Sequence, residues 1–125
     1  MTAPPASLAE DDYCYLTTMG RVSGEPHTVE IWFGLANGVL YMLSGSGKDA
    51  ISDKPRADWV RNILRHPAVQ LRVGEMTYSG AGRLVTDTAE DALARRLLVE
   101  KYTPRHNGEL DSWGRSALPV AIDFD

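Results

Sequence analysis

A cationic and a titratable side chain lie at a predicted turn near the N-terminus of the chain. The run Leu16–Thr28 reads as a strand, a glycine-bounded turn and a second strand, with Arg21 in the turn and His27 just past it. A guanidinium and an imidazole placed together supply hydrogen-bond donors and positive charge to an anion. This run therefore predicts a turn that can receive an anionic cofactor.

A glycine- and serine-rich loop and a helix follow this turn along the chain. The run Ser44–Lys48 reads Ser-Gly-Ser-Gly-Lys, in which glycine lets backbone amides approach a ligand closely. In the run Asp58–Pro67, the residues Trp59, Asn62 and Ile63 lie on adjacent positions of one helix side. Taken alone, the loop is typical of a flexible connector, and the apolar helix positions are typical of a core stripe.

The residues present exclude several kinds of catalytic site. His27, His66 and His106 are far apart, and none has Cys, Asp or Glu at metal-ligand spacing, so no metal site is predicted. The sequence contains no Gly-x-Ser-x-Gly and no Walker sequence, and the Gly-Ser-Gly of the loop lacks the third glycine of a dinucleotide-binding motif. What remains suits an organic cofactor that carries the reactivity itself.

The composition is that of one soluble globular domain. The chain has 125 residues, of which 43% are hydrophobic and 24% are charged, with a formal net charge of −4. Its basic residues are dispersed, which argues against nucleic acid as a partner. We expect a flexible N-terminal tail over residues 1–10 and a single domain over residues 11–125.

Cysteine content and hydropathy indicate the cellular compartment of the protein and its relation to membranes. Cys14 is the only cysteine, so the chain forms no internal disulfide, which fits a reducing cytoplasm. No segment approaches the roughly 20 apolar residues of a membrane helix, so no integral membrane segment is predicted. A chain of this length leaves much of its surface outside a single core, which favours a homodimer.

The hydrophobic pattern predicts an antiparallel sheet with two helices. The predicted strands are Tyr13–Met19, His27–Ala36, Val39–Ser44, Val69–Val73, Met76–Val85 and Leu118–Phe124. Asn37-Gly38 is typical of a type I′ hairpin turn. Helices are predicted over residues 55–67 and 88–102, the second with Thr88 as its capping residue. Five or six strands in hairpin order with two helices give an α+β domain around a barrel-like sheet.

The turn and the following helix together resemble the deazaflavin-dependent nitroreductase family. The family pattern at the turn is Gly-Arg-Lys-[Ser/Thr]-Gly-x-Pro-Arg, and residues 20–27 of this chain read Gly-Arg-Val-Ser-Gly-Glu-Pro-His. Val22 and His27 replace the lysine and the final arginine, which weakens the fixed positive charge. The resemblance implies a split β-barrel with two or more flanking helices, related to flavin-binding pyridoxamine-phosphate-oxidase-like proteins.

The resemblance also implies a cofactor and its contacts. The family binds 8-hydroxy-5-deazaflavin, coenzyme F420, and places the cations of the turn at its phosphate. Trp59 and Asn62 match helix positions that lie toward the cofactor, and Trp32 matches an aromatic position near the ring. The residues implied at the cofactor are Arg21, His27, Thr28, Trp32, Ser44, Gly45, Ser46, Gly47, Lys48, Trp59, Asn62 and Ile63.

The activity that the resemblance implies is hydride transfer between the deazaflavin and a small electrophilic substrate, such as a quinone, an enone or an activated alkene. Residues 105–110 lack the tyrosines that some members use for nitroaromatic substrates, so nitro-drug reduction is not implied. Tyr78, Tyr102, His106 and solvent are the candidate proton donors, and the sequence does not rank them. Two alternatives stay open: an FMN enzyme of the same fold, and a non-catalytic deazaflavin carrier.

Overall fold

The structure is a computed structural model that describes residues 4–106 and 108–125. Its strands are β1 (Cys14–Met19), β2 (Pro26–Ile31), β3 (Gly34–Ala36), β4 (Val39–Ser44), β5 (Ala68–Val73), β6 (Met76–Leu84) and β7 (Leu118–Phe124). Its helices are α1 (Asp58–Arg65), α2 (Thr88–Tyr102) and α3 (Asp111–Ser116), with short 3-10 helices at Ala6–Glu10 and Thr103–Arg105. The predicted α+β class is confirmed.

The seven strands form one antiparallel sheet that curls on itself. Their order is β2-β1-β5-β6-β7-β4-β3, so β2 and β3 are the two edges. Only Trp32 and Phe33 separate these edge strands along the chain. Three steps of about 3.8 Å between consecutive Cα atoms span at most about 11 Å, so the two edges must approach each other. The sheet is therefore a curled half-barrel, which confirms the predicted split β-barrel.

The strand predicted over His27–Ala36 is wrong in one respect, because the structure divides it in two. The alternating pattern continues through Trp32 and Phe33, but the chain passes there from one sheet edge to the other. Phe33 is buried at this crossover, and its N–H donates to the hydroxyl of Tyr102 at 3.0 Å. A tertiary contact with α2 thus interrupts a segment whose local pattern is continuous.

The helix boundaries also differ from the prediction. The first helix begins at Asp58 rather than Pro55, because Pro55 forms an isolated bridge with Lys48 that closes the preceding loop. The second helix has Asp87 rather than Thr88 as its N-cap, and the Asp87 carboxylate accepts from the Glu90 N–H at 2.9 Å. The sequence analysis did not predict α3, which is short and contains a glycine.

Two apolar clusters lie on opposite faces of β4. Leu40 and Met42 belong to a cluster that includes Val60 and Ile63 of α1, whereas Tyr41 and Leu43 belong to a cluster that includes Leu98 of α2. Alternate side chains of a strand point to opposite faces, so both faces of the sheet are covered.

Part of the predicted N-terminal tail has regular structure. Residues 6–10 form a 3-10 helix, and Leu8 packs against the cluster that contains α1. Residues 1–3 of that predicted tail lie outside the described residues.

Candidate functional site

The β1–β2 turn and α1 enclose a cavity of about 530 Å³, termed here the turn cavity. Its lining residues are Gly20, Arg21, Val22, Ser23, His27, Thr28, Val29, Asp58, Trp59 and Asn62. Five of the residues that the sequence analysis placed at the cofactor meet here: Arg21, His27, Thr28, Trp59 and Asn62. Trp59 is half-buried and also packs against the core cluster that includes α1, so it both lines the turn cavity and contributes to the core.

Asn62 ties the turn to α1. Its side chain is 4% exposed, and its Oδ1 accepts from the backbone N–H of Arg21 at 3.1 Å and from Arg21 Nη1 at 3.0 Å. Its Nδ2 donates to the hydroxyl of Thr18 at 3.2 Å. Because both ends of the amide are engaged within the protein, Asn62 orients Arg21 rather than offering an unused donor to a ligand.

The guanidinium of Arg21 is partly neutralised by a carboxylate. Arg21 Nη2 donates to Asp58 Oδ1 at 3.1 Å, and the Asp58 side chain is 84% exposed against 25% for Arg21. Exposed ion pairs are weak, so an anionic ligand can compete with Asp58 for the guanidinium. Asp58 also lies in the first turn of α1, where a carboxylate is favourable without this partner.

Gly20 lets the imidazole of His27 fold over the turn. A Cβ at position 20 would lie 2.4 Å from Ser23 Oγ and 2.8 Å from His27 Nε2. Ser23 Oγ and His27 Nε2 are themselves hydrogen-bonded at 3.2 Å. The turn is tightened by Gly24, whose φ of +71° is left-handed and whose N–H donates to the Gly20 carbonyl at 2.9 Å. The family pattern indicated these glycines, and the structure gives their steric reason.

A second cavity of about 460 Å³, termed here the aromatic cavity, lies at the seam between the two sheet edges. Its lining residues are Tyr13, Glu30, Ile31, Trp32, Leu43, His106, Leu110 and Trp113. The ring of Trp32 stacks on Tyr102, with centroids 4.3 Å apart and planes 4° apart. Trp113 and His106 both meet Trp32 edge-on, each with its centroid at 5.6 Å.

The sequence analysis placed only Trp32 of this cavity at the cofactor. Trp113 lies on the unpredicted helix α3, and no periodic pattern pointed to it. Trp32 directly follows β2 and lines the aromatic cavity, whereas Trp59 lines the turn cavity, so the structure places the two residues in different cavities.

The glycine-rich loop lies outside both sets of lining residues. Ser44 is buried at the end of β4, and Gly47 has a φ of +61° within a tight turn. Gly45 lies against the indole of Trp113, since a Cβ there would be 3.4 Å from the indole nitrogen. Lys48 Nζ is 3.9 Å from Asp53 Oδ1 at an exposed pair. The loop therefore contacts a residue of the aromatic cavity, because Gly45 lies against Trp113.

Three further candidates belong to the interior of the protein. Ile63 is 1% exposed and packs against Gly82, in the core rather than at a cavity. Tyr78 is buried and meets Phe124 edge-on. The hydroxyl of Tyr102 donates to the Asp12 carbonyl at 2.7 Å, and burial raises the pKa of Tyr102 to about 12. Neither tyrosine is therefore placed to release a proton into the aromatic cavity.

The two cavities lie along the same strand. Thr28 and Val29 of β2 line the turn cavity, whereas Glu30 and Ile31 line the aromatic cavity. Since a strand rises about 3.3 Å per residue, the strand length from Thr28 to Ile31 is about 10 Å. The turn cavity thus offers cationic and donor groups and the aromatic cavity offers planar rings, which together suit an elongated ligand with an anionic tail and a planar ring.

The curled antiparallel sheet and these two cavities are those of a split-barrel protein that binds an organic cofactor. The chain belongs to the F420H(2)-dependent quinone reductase family, whose sequence model matches residues 6–125. It is thus a deazaflavin-dependent oxidoreductase with coenzyme F420 as its cofactor, and the predicted resemblance is confirmed.

Solved structures share the fold at low sequence identity. An F420-H2-dependent reductase (FDR-A) is 18% identical with a TM-score of 0.66, over 90% of this chain and 94% of that one. A putative pyridoxamine 5'-phosphate oxidase from Listeria innocua is 21% identical with a TM-score of 0.61, over 94% and 87%. A protein described as a domain-swapped dimer is 19% identical with a TM-score of 0.67, over 90% and 80%. Comparison with curated protein sequences gives no match.

Within residues 4–106 and 108–125, none of the helices has the length and hydropathy of a membrane-spanning segment.

Proposed function

We propose that this protein binds F420 along β2, with the phosphate side of the cofactor at the turn cavity and the deazaflavin ring toward the aromatic cavity. The observation that carries the proposal is the pair of cavities flanking one strand, one lined by Arg21 and His27 and the other by Trp32 and Trp113. The donor set fits such a cofactor, because a guanidinium binds phosphate oxygens and indole faces pack against a flat ring.

The side chains at the turn cavity have separate roles in binding. Arg21 donates to the phosphate, in place of its contact with exposed Asp58, while Asn62 keeps the Arg21 backbone and guanidinium in position. His27 adds a second hydrogen-bond donor beside Arg21. Trp59, a residue of α1, forms one wall of the turn cavity.

The reaction we propose is the reduction of a small planar electrophile. When bound in its reduced form, the deazaflavin supplies a hydride. The protein orients the acceptor, and Trp32 and Trp113 limit water around it. A quinone is the preferred acceptor, with enones and activated alkenes as further members of the same electrophile class. We do not extend the proposal to nitro drugs, because residues 105–110 contain no tyrosine.

Fluorescence titration of purified protein with F420 and with FMN tests the binding proposal. We expect saturable F420 binding that exceeds FMN binding and weakens as salt increases, because the turn contributes a charge contact. The Arg21→Gln variant should bind F420 at least about tenfold more weakly, in line with the loss of a charge-assisted hydrogen bond. Arg61→Gln is the matched control, since Arg61 is exposed on α1 and lies outside the turn cavity. Equal effects of the two substitutions, or a preference for FMN, would contradict the proposal.

We also propose that the protein forms a homodimer through the outer face of β1, β2 and β5. The exposed edge strand β2 and the apolar side chain of Met19, 39% exposed, support this surface. The neighbour described as a domain-swapped dimer supports dimer formation without indicating a surface. Light scattering on a gel-filtration column should give twice the chain mass. Met19→Lys should shift the mass to that of one chain, whereas Met76→Lys, at an exposed position on β6, should not.

A further inference from the structure

The aromatic cavity contains three ionisable side chains, contributed by three different segments. Tyr13 precedes β1 and its ring meets Tyr15 edge-on, with centroids 5.8 Å apart. Glu30 of β2 accepts a hydrogen bond from the Tyr15 hydroxyl at 3.1 Å. His106 follows the second 3-10 helix. An ionised carboxylate can only accept a hydrogen bond, whereas an imidazole carries an N–H that can donate one.

The imidazole of His106 is held at the wall of this cavity. Its ring stands at 80° to the plane of Trp32, with centroids 5.6 Å apart. Its neighbour Arg105 anchors the segment, because its guanidinium donates to the Asp12 carboxylate at 2.8 Å and to the backbone and side chain of Glu10, both at 2.9 Å. His106 is also exposed, so solvent can restore its proton.

The two indoles provide a place for a flat acceptor beside this imidazole. Trp32 and Trp113 stand at 87° to each other with centroids 5.6 Å apart, and both line the aromatic cavity. The opposite face of Trp32 is covered by Tyr102.

We propose that His106 donates a hydrogen bond, and then a proton, to the carbonyl oxygen of a planar acceptor such as a quinone in the aromatic cavity. This inference rests on the proposed function. Among the candidate donors named from the sequence, His106 is the one whose side chain lines this cavity, since Tyr102 is bonded to backbone and Tyr78 lies in the core.

The proton and electron balance is simple. When bound, the reduced deazaflavin would supply a hydride, which would carry two electrons to the quinone and leave a hydroquinonate oxyanion. The N–H bond of the His106 imidazolium then breaks, and its proton forms the O–H bond of the neutral hydroquinone. The imidazole takes a proton from solvent before the next turnover. General acid catalysis of this kind contributes about 10²-fold or more.

A binding measurement without cofactor tests the position of His106 separately from turnover. The probe is 1,4-naphthoquinone, and the readout is quenching of tryptophan fluorescence, corrected for inner-filter absorption. In the wild type we expect binding about threefold or more tighter at pH 5.5 than at pH 8, because an imidazolium donates a stronger hydrogen bond than a neutral ring. In His106→Gln the affinity should not change with pH. His66→Gln, at the end of α1, is the matched control and should behave as the wild type.

The pH profile of turnover tests the proton transfer. With F420 in its reduced form and the same quinone, wild-type kcat should fall as pH rises through the histidine range. His106→Gln should have a kcat about tenfold or more lower at pH 6 and a flat profile over this range. A wild-type profile in His106→Gln, or a wild-type naphthoquinone affinity that does not vary with pH, would overturn the proposal. Absence of F420 binding to the wild type would instead overturn the proposed function, so the two failures are distinguishable.

Discussion

At the residue scale, Asn62 couples the β1–β2 turn to the helix beside it. Its amide makes three hydrogen bonds, two with Arg21 and one with Thr18, while almost wholly buried. The resemblance placed Asn62 at the cofactor, and the structure shows that its amide is engaged within the protein. Its removal leaves buried polar groups without partners, which costs more than the bonds themselves contributed.

Asn62→Leu should therefore lower the free energy of unfolding by about 2–3 kcal/mol and weaken F420 binding together. Asn62→Asp should lose much less of both, because a carboxylate keeps the acceptors for Arg21 and the Thr18 hydroxyl can turn to donate to it. Urea denaturation and F420 titration of the two variants provide the measurement. If Asn62→Leu lost binding with unchanged stability, Asn62 would contact the ligand directly rather than position Arg21.

At the element scale, α3 depends on one arginine of α2. Arg95 Nη1 donates to the carbonyls of Gly114, Arg115 and Ala117 at 2.8, 3.0 and 2.8 Å. Its Nε donates to the Asp91 carboxylate at 2.6 Å, which fixes the guanidinium in this orientation. Arg95 thus satisfies the free carbonyls at the end of a helix too short to be stable alone. Trp113 stands on this helix.

Arg95→Lys should release α3, because one ammonium cannot meet three carbonyls and a carboxylate in the same geometry. We expect a loss of about 1–2 kcal/mol in the free energy of unfolding and a red shift of tryptophan emission as Trp113 leaves Trp32. The control is Arg96→Lys, because Arg96 is 64% exposed and lies 3.9 Å from Glu100. Identical emission spectra of the two variants would show that Arg95 does not position the indole.

The sequence predicted most elements of the fold, and its failures have physical causes. Six strand positions follow from period-two alternation, and the positive φ of Asn37 and Gly38 agrees with the predicted turn. The break at Trp32 and Phe33 could not be predicted, because it depends on a hydroxyl of Tyr102 about seventy positions away. Helix α3 has no apolar stripe, and its contacts with α2, through Arg95 and through the packing of Gly114 against Val99, account for it.

The candidate site was predictable at its turn and not at its aromatic end. A local motif links Gly20, Arg21 and His27, so their proximity follows from a few adjacent residues. The aromatic cavity joins the segment before β1, the crossover between the sheet edges, and the two C-terminal segments that carry His106 and Trp113. Only the closure of the half-barrel brings these together, and no local pattern encodes that closure.

At the scale of the whole molecule, the seam of the half-barrel contains a destabilising charge. Lys101 lies 3.7 Å above the ring centroid of Phe33, and its Nζ donates to the Phe33 carbonyl at 3.0 Å. Burial, and then the nearby Arg105 guanidinium, lower the pKa of Lys101 to about 8. The unfolded chain therefore binds more protons than the folded chain between about pH 8 and pH 10.5, so this group adds stability as pH rises.

The free energy of unfolding of the wild type should rise relative to that of Lys101→Met between pH 7 and pH 9. After a discount for the half-buried position, we expect a difference of about 1 kcal/mol. The comparison between the two proteins is needed because burial raises the pKa of both Cys14 and Tyr102 to about 12, which acts in the opposite direction above about pH 9. A constant difference between the two proteins across this range would contradict the account of Lys101.

The central claim is that the turn cavity and the aromatic cavity along β2 bring F420 and a quinone together for hydride transfer. The most direct test is the oxidation of reduced F420 by 1,4-naphthoquinone, followed through the deazaflavin absorbance with and without the protein. We predict a rate that is proportional to protein concentration, saturates with both ligands and falls in Trp113→Leu. Tight F420 binding without any acceleration over the uncatalysed reaction would contradict this claim and favour a carrier.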